Sequence, residues 1–558
     1  MLEVSGEEMQ TLAMDHHGLV AAICKELGIA DKINEKLFKE AQQQDRVVKP
    51  GQAVIAMILN GLGFTNRRLY LTHQFFEGKP VERLLDAPIQ ASDLTDYTLS
   101  HTLDEIAAYG TTKLFGEVAF KIALEHDVLG TLNHLDTTSM VVHGEYDIED
   151  KASTIEITRG YSKDYRPDLK QVVLSLIVNG PAEIPLWMEP LSGNSSDKKS
   201  FHETIGKVIA FQNQIDCKTE FKWVGDSALY GKEGLLKDNG YVWLTRVPET
   251  ILEAKALVSQ SQKSFVWEDH DKGYATTSTM SEYGGISQRW LLVFSKQAYE
   301  REKKTFMKKL AKQEEELTKA IWHLSNETFG CEEDAKKSLK AIQKKHPLYE
   351  IEWQITAQYK HGKSGRPKAG TEAVFSGYQI QASIKKDEKK VEAMLHSKGR
   401  FILATNDLDT SKYSDKQMLE EYKSQQDVEK GFRFLKDPWF MVDSIFLKLP
   451  HRIEALMMVM TLCLLVYNLA QYKLRSKLKE ERETLPNQIG KKIDNPTMRW
   501  IFQLMENIAI VRFYDASNVL IKECITNLNE LRKKIISLMG QTAAQMYGLV
   551  IQKILLQV

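Results

Sequence analysis

Hydrophobic and polar positions along the chain fall into blocks of different period. From Val20 to Leu37 apolar residues recur at helical spacing. Pro50-Gly51 then opens a second run, QAVIAMILNGLGF, and a third, LSHTLDEIAAYGTTKLFGEVAFKIALEH, ends before Gly130. These runs predict a helical domain over residues 1–130. Its plain reading is a packing module. Arg67 and Arg68, just after the second run, also suit DNA binding, because paired cations on helices track phosphates.

The period changes near residue 131. LNHLD is a short apolar run ending in Asp136, and KQVVLSLIVNG and AEIPLWMEPL are β-rich runs separated by Asn179-Gly180. SSDKKSFHETIGKVIAFQNQI carries a helix cap signal and helical spacing. FKWVGDSAL is another apolar run, ending in Asp226. This order predicts an α/β fold with a mixed sheet flanked by helices.

Residues 240–401 interrupt that domain. WLTRV, SFVWED, RWLLVFS, IEWQITAQ and GYQIQASI read as strands. Between them, roughly Ala298 to Glu327 is a charged helical stretch. Its apolar positions Tyr299, Phe306, Leu310, Leu317 and Ile321 follow a heptad seam, which predicts a helical hairpin or a short coiled coil. After Thr405 the chain is helical again. SDKQMLEEYKSQQDVEKGFRFLK starts at a Ser414 or Asp415 cap, and ALMMVMTLCLLVYNLA, from Ala455 to Ala470, reads as a buried core helix too short to span a membrane. Residues 498–558 read as an amphipathic helical tail within a helical C-terminal region, 476–558.

Composition narrows the classes. Apolar residues are 43% and charged residues 27%, ordinary for a folded protein and unlike a disordered or collagen-like one. Lys and Arg number 74 against 75 Asp and Glu, for a net charge of -1. A strongly basic packaging protein is excluded, so any nucleic-acid site must be locally basic. The five cysteines form no CxxC pair, which fits a reducing compartment and gives no zinc signature. No secretory leader is visible in MLEVSGEEMQ, and the expectation is a cytoplasmic protein.

Three acids stand out. Asp136 and Asp226 each close an apolar strand, and Glu429 lies in the helix after the interruption. A carboxylate at the end of a buried strand is costly unless something satisfies it. Converging carboxylates repel unless a cation neutralises them, and hard oxygen donors suit Mg²⁺ or Mn²⁺. Taken singly, each acid reads as well as a strand-end or surface charge. Tyr422, Gln425, Glu429 and Lys436 step by 3, 4 and 7, which places them on one helical face. Such a face presents an acid to metal and a Lys to phosphate, or is simply a surface stripe.

The sequence resembles bacterial insertion-sequence transposases of the DDE class, which have an RNase H-like core. One group of these carries a Tyr-x2-Arg-x3-Glu-x6-Lys signature on its last catalytic helix. Tyr422, Glu429 and Lys436 match it, and Gln425 stands where the Arg would be. LDTTS around Asp136 and WVGDSALY around Asp226 resemble the first and second acid motifs. GYSKDYRPDLKQVVLSLIVNG, PLSGNSSDKKSF and FLKDPWF extend the likeness over nearly the whole chain.

The resemblance implies an RNase H-like core over 131–239 and 402–475. It implies that Asp136, Asp226 and Glu429 hold two Mg²⁺ or Mn²⁺ ions and that Tyr422 and Lys436 contact DNA phosphates. Gln425 would be a weaker phosphate clamp than Arg, lacking its charge. The expected partners are double-stranded DNA, both terminal inverted repeats and target, and a second copy of the chain on paired ends, with no membrane.

Further candidate contacts are Lys163, Arg166 and Lys170, and the basic loop of Lys360, Lys363, Arg366 and Lys368. From Ala341 to Gly370 six Lys or Arg oppose two Glu. The resemblance implies an insertion that helps hold DNA, and Trp243, Trp267, Trp290 and Trp353 lie within it. An exposed indole there stacks on bases, whereas a strand Trp is ordinarily core. His16, His17 and His134 read better as structural than as ligands. Two other functions stay open: a metal-dependent nuclease of this fold without strand transfer, and an inactive DNA-binding relic. A purely helical scaffold does not explain the strands that end in acids.

Overall fold

The computed structural model describes residues 8–39, 45–64, 69–146, 150–162, 165–231, 240–361, 372–437 and 447–549, without the side chains of 197–200. Arg67, Arg68, Lys163, Lys363, Arg366 and Lys368 lie outside them. The chain divides into two compact units, Met1–Trp243 with Glu421–Val558, and Leu244–Glu420.

The first unit opens with strand β1 (Glu8–Ala13) and helices α1 (His17–Glu26), α2 (Ile29–Leu37), α3 (Pro50–Gly61), α4 (Thr72–Phe76), α5 (Val81–Leu84), α6 (Asp96–Tyr109) and α7 (Thr111–Glu125). Pro50 sits at the first position of α3, where its missing N–H costs nothing, and Thr95 caps α6 by accepting from the Thr98 amide. His16 and His17 are buried; His16 Nε2 lies 2.9 Å from the Leu62 carbonyl, and burial pushes its pKa down to about 4. They are packing residues, His16 stacked on Phe502 and His17 edge-on to Phe75.

Strands β2 (Leu132–Val142), β3 (Lys170–Asn179) and β4 (Ile184–Ser192), helix α8 (Asp197–Gln214) and strand β5 (Lys222–Gly225) follow. In this unit they run β4-β3-β2-β5, with β2 antiparallel to β3 and parallel to β5.

In the second unit β6 (Val242–Arg246), α9 (Leu252–Val258), β7 (Glu268–His270), β8 (Tyr274–Ser281) and β9 (Gln288–Ser295) precede the long helix α10 (Lys296–Asn326). After α11 (Glu332–Lys345), β10 (Tyr349–Lys360), β11 (Val374–Lys386) and α12 (Glu388–His396) come β12 (Arg400–Thr405) and α13 (Asp415–Lys423), the last crossing into the first unit. The strands run β6-β12-β9-β8-β7.

The α10 seam meets α11 and the β10–β11 hairpin. Leu310, Leu317 and Ile321 are buried with Leu339, Tyr349 and Ile380. The helical hairpin is present as α10–α11, but no coiled coil forms because the β-hairpin covers the rest of the apolar stripe. Trp243 and Trp290 are buried, and Trp353 on β10 is 45% exposed.

The chain returns with α14 (Gln426–Leu435), α15 (Pro450–Glu480), the short strands β13 (Leu485–Pro486) and β14 (Lys492–Ile493), α16 (Met498–Leu504), β15 (Ala509–Tyr514), β16 (Leu520–Thr526), α17 (Glu530–Met539) and α18 (Gln541–Met546). The helix expected over Ala455–Ala470 is twice that length. It is long and apolar enough to cross a membrane, yet its most apolar stretch is 89% buried in the fold. It packs against α3, α6, α7 and β4. Its buried Glu454 is fully engaged, accepting from Ser153 Oγ (2.5 Å), the Thr154 amide (2.9 Å) and Thr154 Oγ1 (2.7 Å).

The expected helical tail is corrected. Within 498–558, β15 and β16 form a hairpin, and β15 pairs antiparallel with β1. The run AIVRFY is β-branched and aromatic, and Asp515 Oδ1 closes the turn by accepting from the amides of Ser517 and Val519. Its other ladder partner comes from the opposite end of the sequence, beyond any local pattern.

His451, in the first turn of α15, lies 2.7 Å from Asp150 and 2.8 Å from Asp104, and Arg452 forks onto the same Asp104. Burial pushes the imidazole pKa down, but hydrogen bonds to the two carboxylates outweigh it, leaving the pKa raised above 6.5. This stabilisation is therefore complete below that pH and is lost as pH rises through the folded value. His451→Gln should cost about 1.5–3 kcal/mol in urea unfolding near about pH 5.5. The gap to wild type should close toward about pH 9; a gap that widens with pH contradicts the ion-paired assignment.

Candidate active site

The register of β2 sets the geometry. Asp136 pairs with Leu176 on β3, and Leu135 pairs with Gly225, the last residue of β5. Continuing the parallel register by one step sets Asp226 beside Asp136, at the usual strand spacing of about 4.8 Å. Both acids are half-buried. Asp136 Oδ1 accepts from the Thr137 amide at 2.7 Å, and Asp226 Oδ1 accepts from the Ala228 amide at 2.8 Å in the turn after β5.

Side chains alternate across a strand, so His134 and Asp136 share the face of Leu176. That face is covered by α14. A Cβ on Gly431 would lie 3.6 Å from Leu176 Cδ2 and 3.1 Å from Leu464 Cδ2 of α15, so a glycine lets this helix sit close to the sheet. The opposite face, with Trp187, meets α7 and α8: Trp187 packs 5.4 Å from Phe211 and lies against Gly116.

The Tyr-to-Lys stripe is not one uninterrupted helix. α13 ends at Lys423 and α14 begins at Gln426, with i→i+3 bonds from the Gln425 amide to Tyr422, from Asp427 to Ser424 and from Val428 to Gln425. Tyr422 and Gln425 are half-buried at this tight step, Glu429 is exposed, and Lys436 caps α14.

Two ties fix the step to the acid-bearing strands. Ser424 Oγ lies 3.0 Å from His134 Nε2, two residues before Asp136. Because Ser424 Oγ donates to the Glu421 carbonyl (2.7 Å), it accepts from His134, and the ring carries its proton on Nε2. Burial pushes the His134 pKa down to about 4, against the pull of Asp427, so the ring is neutral near pH 7. Its Nδ1 has no partner among the described residues. The second tie is the ion pair of Lys222 on β5 with Glu421, at 3.1 Å.

The structure thus brings Asp136 and Asp226 together and lays the helix of Glu429 across their face. Among the described residues, no group of three or more His, Cys, Asp or Glu gathers closely enough to hold a metal ion. Arg166 is exposed and forks onto Asp168 at 2.9 and 2.8 Å. Lys170 begins β3 and donates to the Glu145 carbonyl. Ser424, Lys222, Glu421 and Gly431 are site-building residues that the sequence reading missed. His134 carried the one available hint, standing two residues from Asp136.

Residues 9–120 match a family described as a domain of unknown function, DUF4277. No curated protein matches the chain. Among solved structures, a piggyBac transposase in a synaptic complex with hairpin DNA aligns over 98% of this chain and 85% of its own, at 9% identity and a TM-score of 0.37. That score is below the level at which a likeness bears on fold or activity.

The seat of α14 is testable. Gly431→Val should cost about 1–3 kcal/mol by overpacking against Leu464 and Leu176. Ser424→Ala should cost about 1–3 kcal/mol by leaving the buried His134 N–H unpaired. Urea unfolding of each variant measures both; no loss in either would mean that α14 does not pack as described.

Proposed function

We propose that this chain is a DNA transposase of the DDE class, with an RNase H-like core, that cuts and joins the ends of its own insertion sequence. The observation that carries this reading is the in-register neighbourhood of Asp136 and Asp226 on parallel strands, beneath the helix that bears Glu429. Two neighbouring carboxylates, Asp136 accepting from the Thr137 amide and Asp226 from the Ala228 amide, suit a divalent cation that keeps water and phosphate as its other ligands. Asp136 and Asp226 would hold it; Glu429, expected as the third carboxylate, does not gather with them closely enough in this structure to share the ion. Bound Mg²⁺ or Mn²⁺, as a pair, would neutralise the phosphodiester and sharpen an attacking oxygen.

The chain's own part is positioning. Asp136 is held by the β2 ladder and Asp226 by its turn, while the His134–Ser424 and Lys222–Glu421 ties set the rotation of the helix step. Tyr422 and Lys436 border Glu429 and would receive DNA phosphates, Lys436 as a point charge. The neutral Gln425 between them would bind more weakly than the Arg of the resembling group. The same site would serve water attack at the element's end and 3′-OH attack on target DNA, both in-line phosphoryl transfers. A second copy on paired ends and a cytoplasmic location on chromosomal DNA complete the reading.

Labelled duplexes carrying the DNA that flanks the gene test it. In Mg²⁺ or Mn²⁺, wild type should cut at the repeat boundary and join the freed 3′-OH to target, and Asp226→Asn should abolish both. Cutting without joining would identify a nuclease; binding without cutting in any metal, alike in wild type and Asp226→Asn, would identify an inactive binder. Gln425→Arg should tighten binding of the same duplexes and steepen the salt dependence by about one unit in log–log slope. An unchanged slope would place residue 425 away from the backbone.

A further inference from the structure

On the flank of α14 that bears Lys430 and Phe434, the first unit forms an open recess of about 530 Å³ against α15 and the start of α16. Four cations line it, Lys430, Arg433, Arg475 and Arg499, against the two acids Glu183 and Asp437. Arg499 is paired with Asp437, and Lys430 lies 2.7 Å from Asp427 and 3.5 Å from Glu183.

The other two guanidinium groups have no carboxylate partner among the described residues. Arg433 Nε makes a long bond of 3.4 Å to the Glu429 carbonyl. Arg475 donates to the carbonyls of Pro496 (2.9 Å) and Asn495 (3.3 Å). Burial lowers the Arg475 pKa, against the opposing pull of Glu183. Phe434 and Tyr467, with ring centroids 4.8 Å apart, form an aromatic wall beside them.

Arginines without a carboxylate ion-pair partner, next to an aromatic surface, match a phosphate attached to a base. The volume falls in the range of roughly 300–1,000 Å³ typical of small-ligand pockets. We propose that this cavity takes one nucleotide of an unpaired DNA strand, with its phosphate against Arg433 and Arg475 and its base against Phe434. The choice of a DNA strand over a free nucleotide rests on the transposase reading.

Fluorescence anisotropy on the full chain tests it, with a fluorescein-labelled oligothymidylate of about ten residues as probe. Arg433→Gln should weaken binding about five- to tenfold and flatten the log–log salt slope by about 0.7. Phe434→Leu should weaken it about fivefold or more through lost stacking. Binding of a duplex carrying the terminal repeat, measured in parallel, should be unchanged in both variants. If both variants bind the oligonucleotide as wild type does while the duplex is still bound, the cavity proposal falls and the transposase reading stands. If thymidine monophosphate or inorganic phosphate displaces the probe as well as unlabelled oligonucleotide does, the cavity serves a free anion and the strand assignment is overturned. If wild type binds neither duplex nor oligonucleotide, both readings fall together.

Discussion

Parallel strands cannot be joined by a tight turn, so the pairing of β2 with β5 commits the chain to a long crossover. Here the crossover is the β3–β4 hairpin and α8. The hairpin extends the sheet on the far side of β2, and α8 covers the face opposite α14. Because β2 is then central within its unit, Asp136 is half-buried at a position where packing alone satisfies a carboxylate poorly. The parallel direction also matters: it sets Asp226, just past the end of β5, level with Asp136, which lies inside β2 rather than at its end as expected. An antiparallel neighbour would have set Asp226 at the other end of the sheet.

The seat of α14 follows from this sheet. Val428, Gly431, Phe432 and Leu435 make its buried stripe, and Gly431 is the point of closest approach. The stripe lies beside the flank of Glu429, so packing determines which direction the acid faces. The tight step before α14 adjusts that direction, and the ties to His134 and Lys222 hold the step against the same two strands that carry the acids. The opposite flank of the helix, with Lys430 and Phe434, lines a basic and aromatic recess. A single ten-residue helix thus separates two surfaces of different chemistry.

Much of this was legible locally. The strands around Asp136 and Asp226, the Asn179-Gly180 hairpin and the long apolar helix follow from period and turn chemistry. The β15–β16 hairpin was missed because its ladder partner is β1, some five hundred residues away in sequence, and a short apolar run does not announce its period. The α10 seam was read correctly as apolar and incompletely as to partner, since a heptad says which side is buried but not what buries it. Ser424, Lys222 and Gly431 carry no signal of their own; a serine, a lysine and a glycine acquire a role only from what the fold sets beside them.

By itself the sequence determined most of the elements, the strands that carry or precede the two acids and the helical character of the segment around Glu429, because these depend on short-range period; it did not show that Asp136 lies inside its strand or that Tyr422 and Glu429 sit on separate helices. Tertiary structure alone decided that Asp226 stands next to Asp136, that α14 rather than α8 covers them, and that the stripe bends at Ser424. Those outcomes depend on strand direction, on one close helix–sheet contact and on hydrogen bonds between residues some 200 to 300 positions apart, which no local pattern encodes.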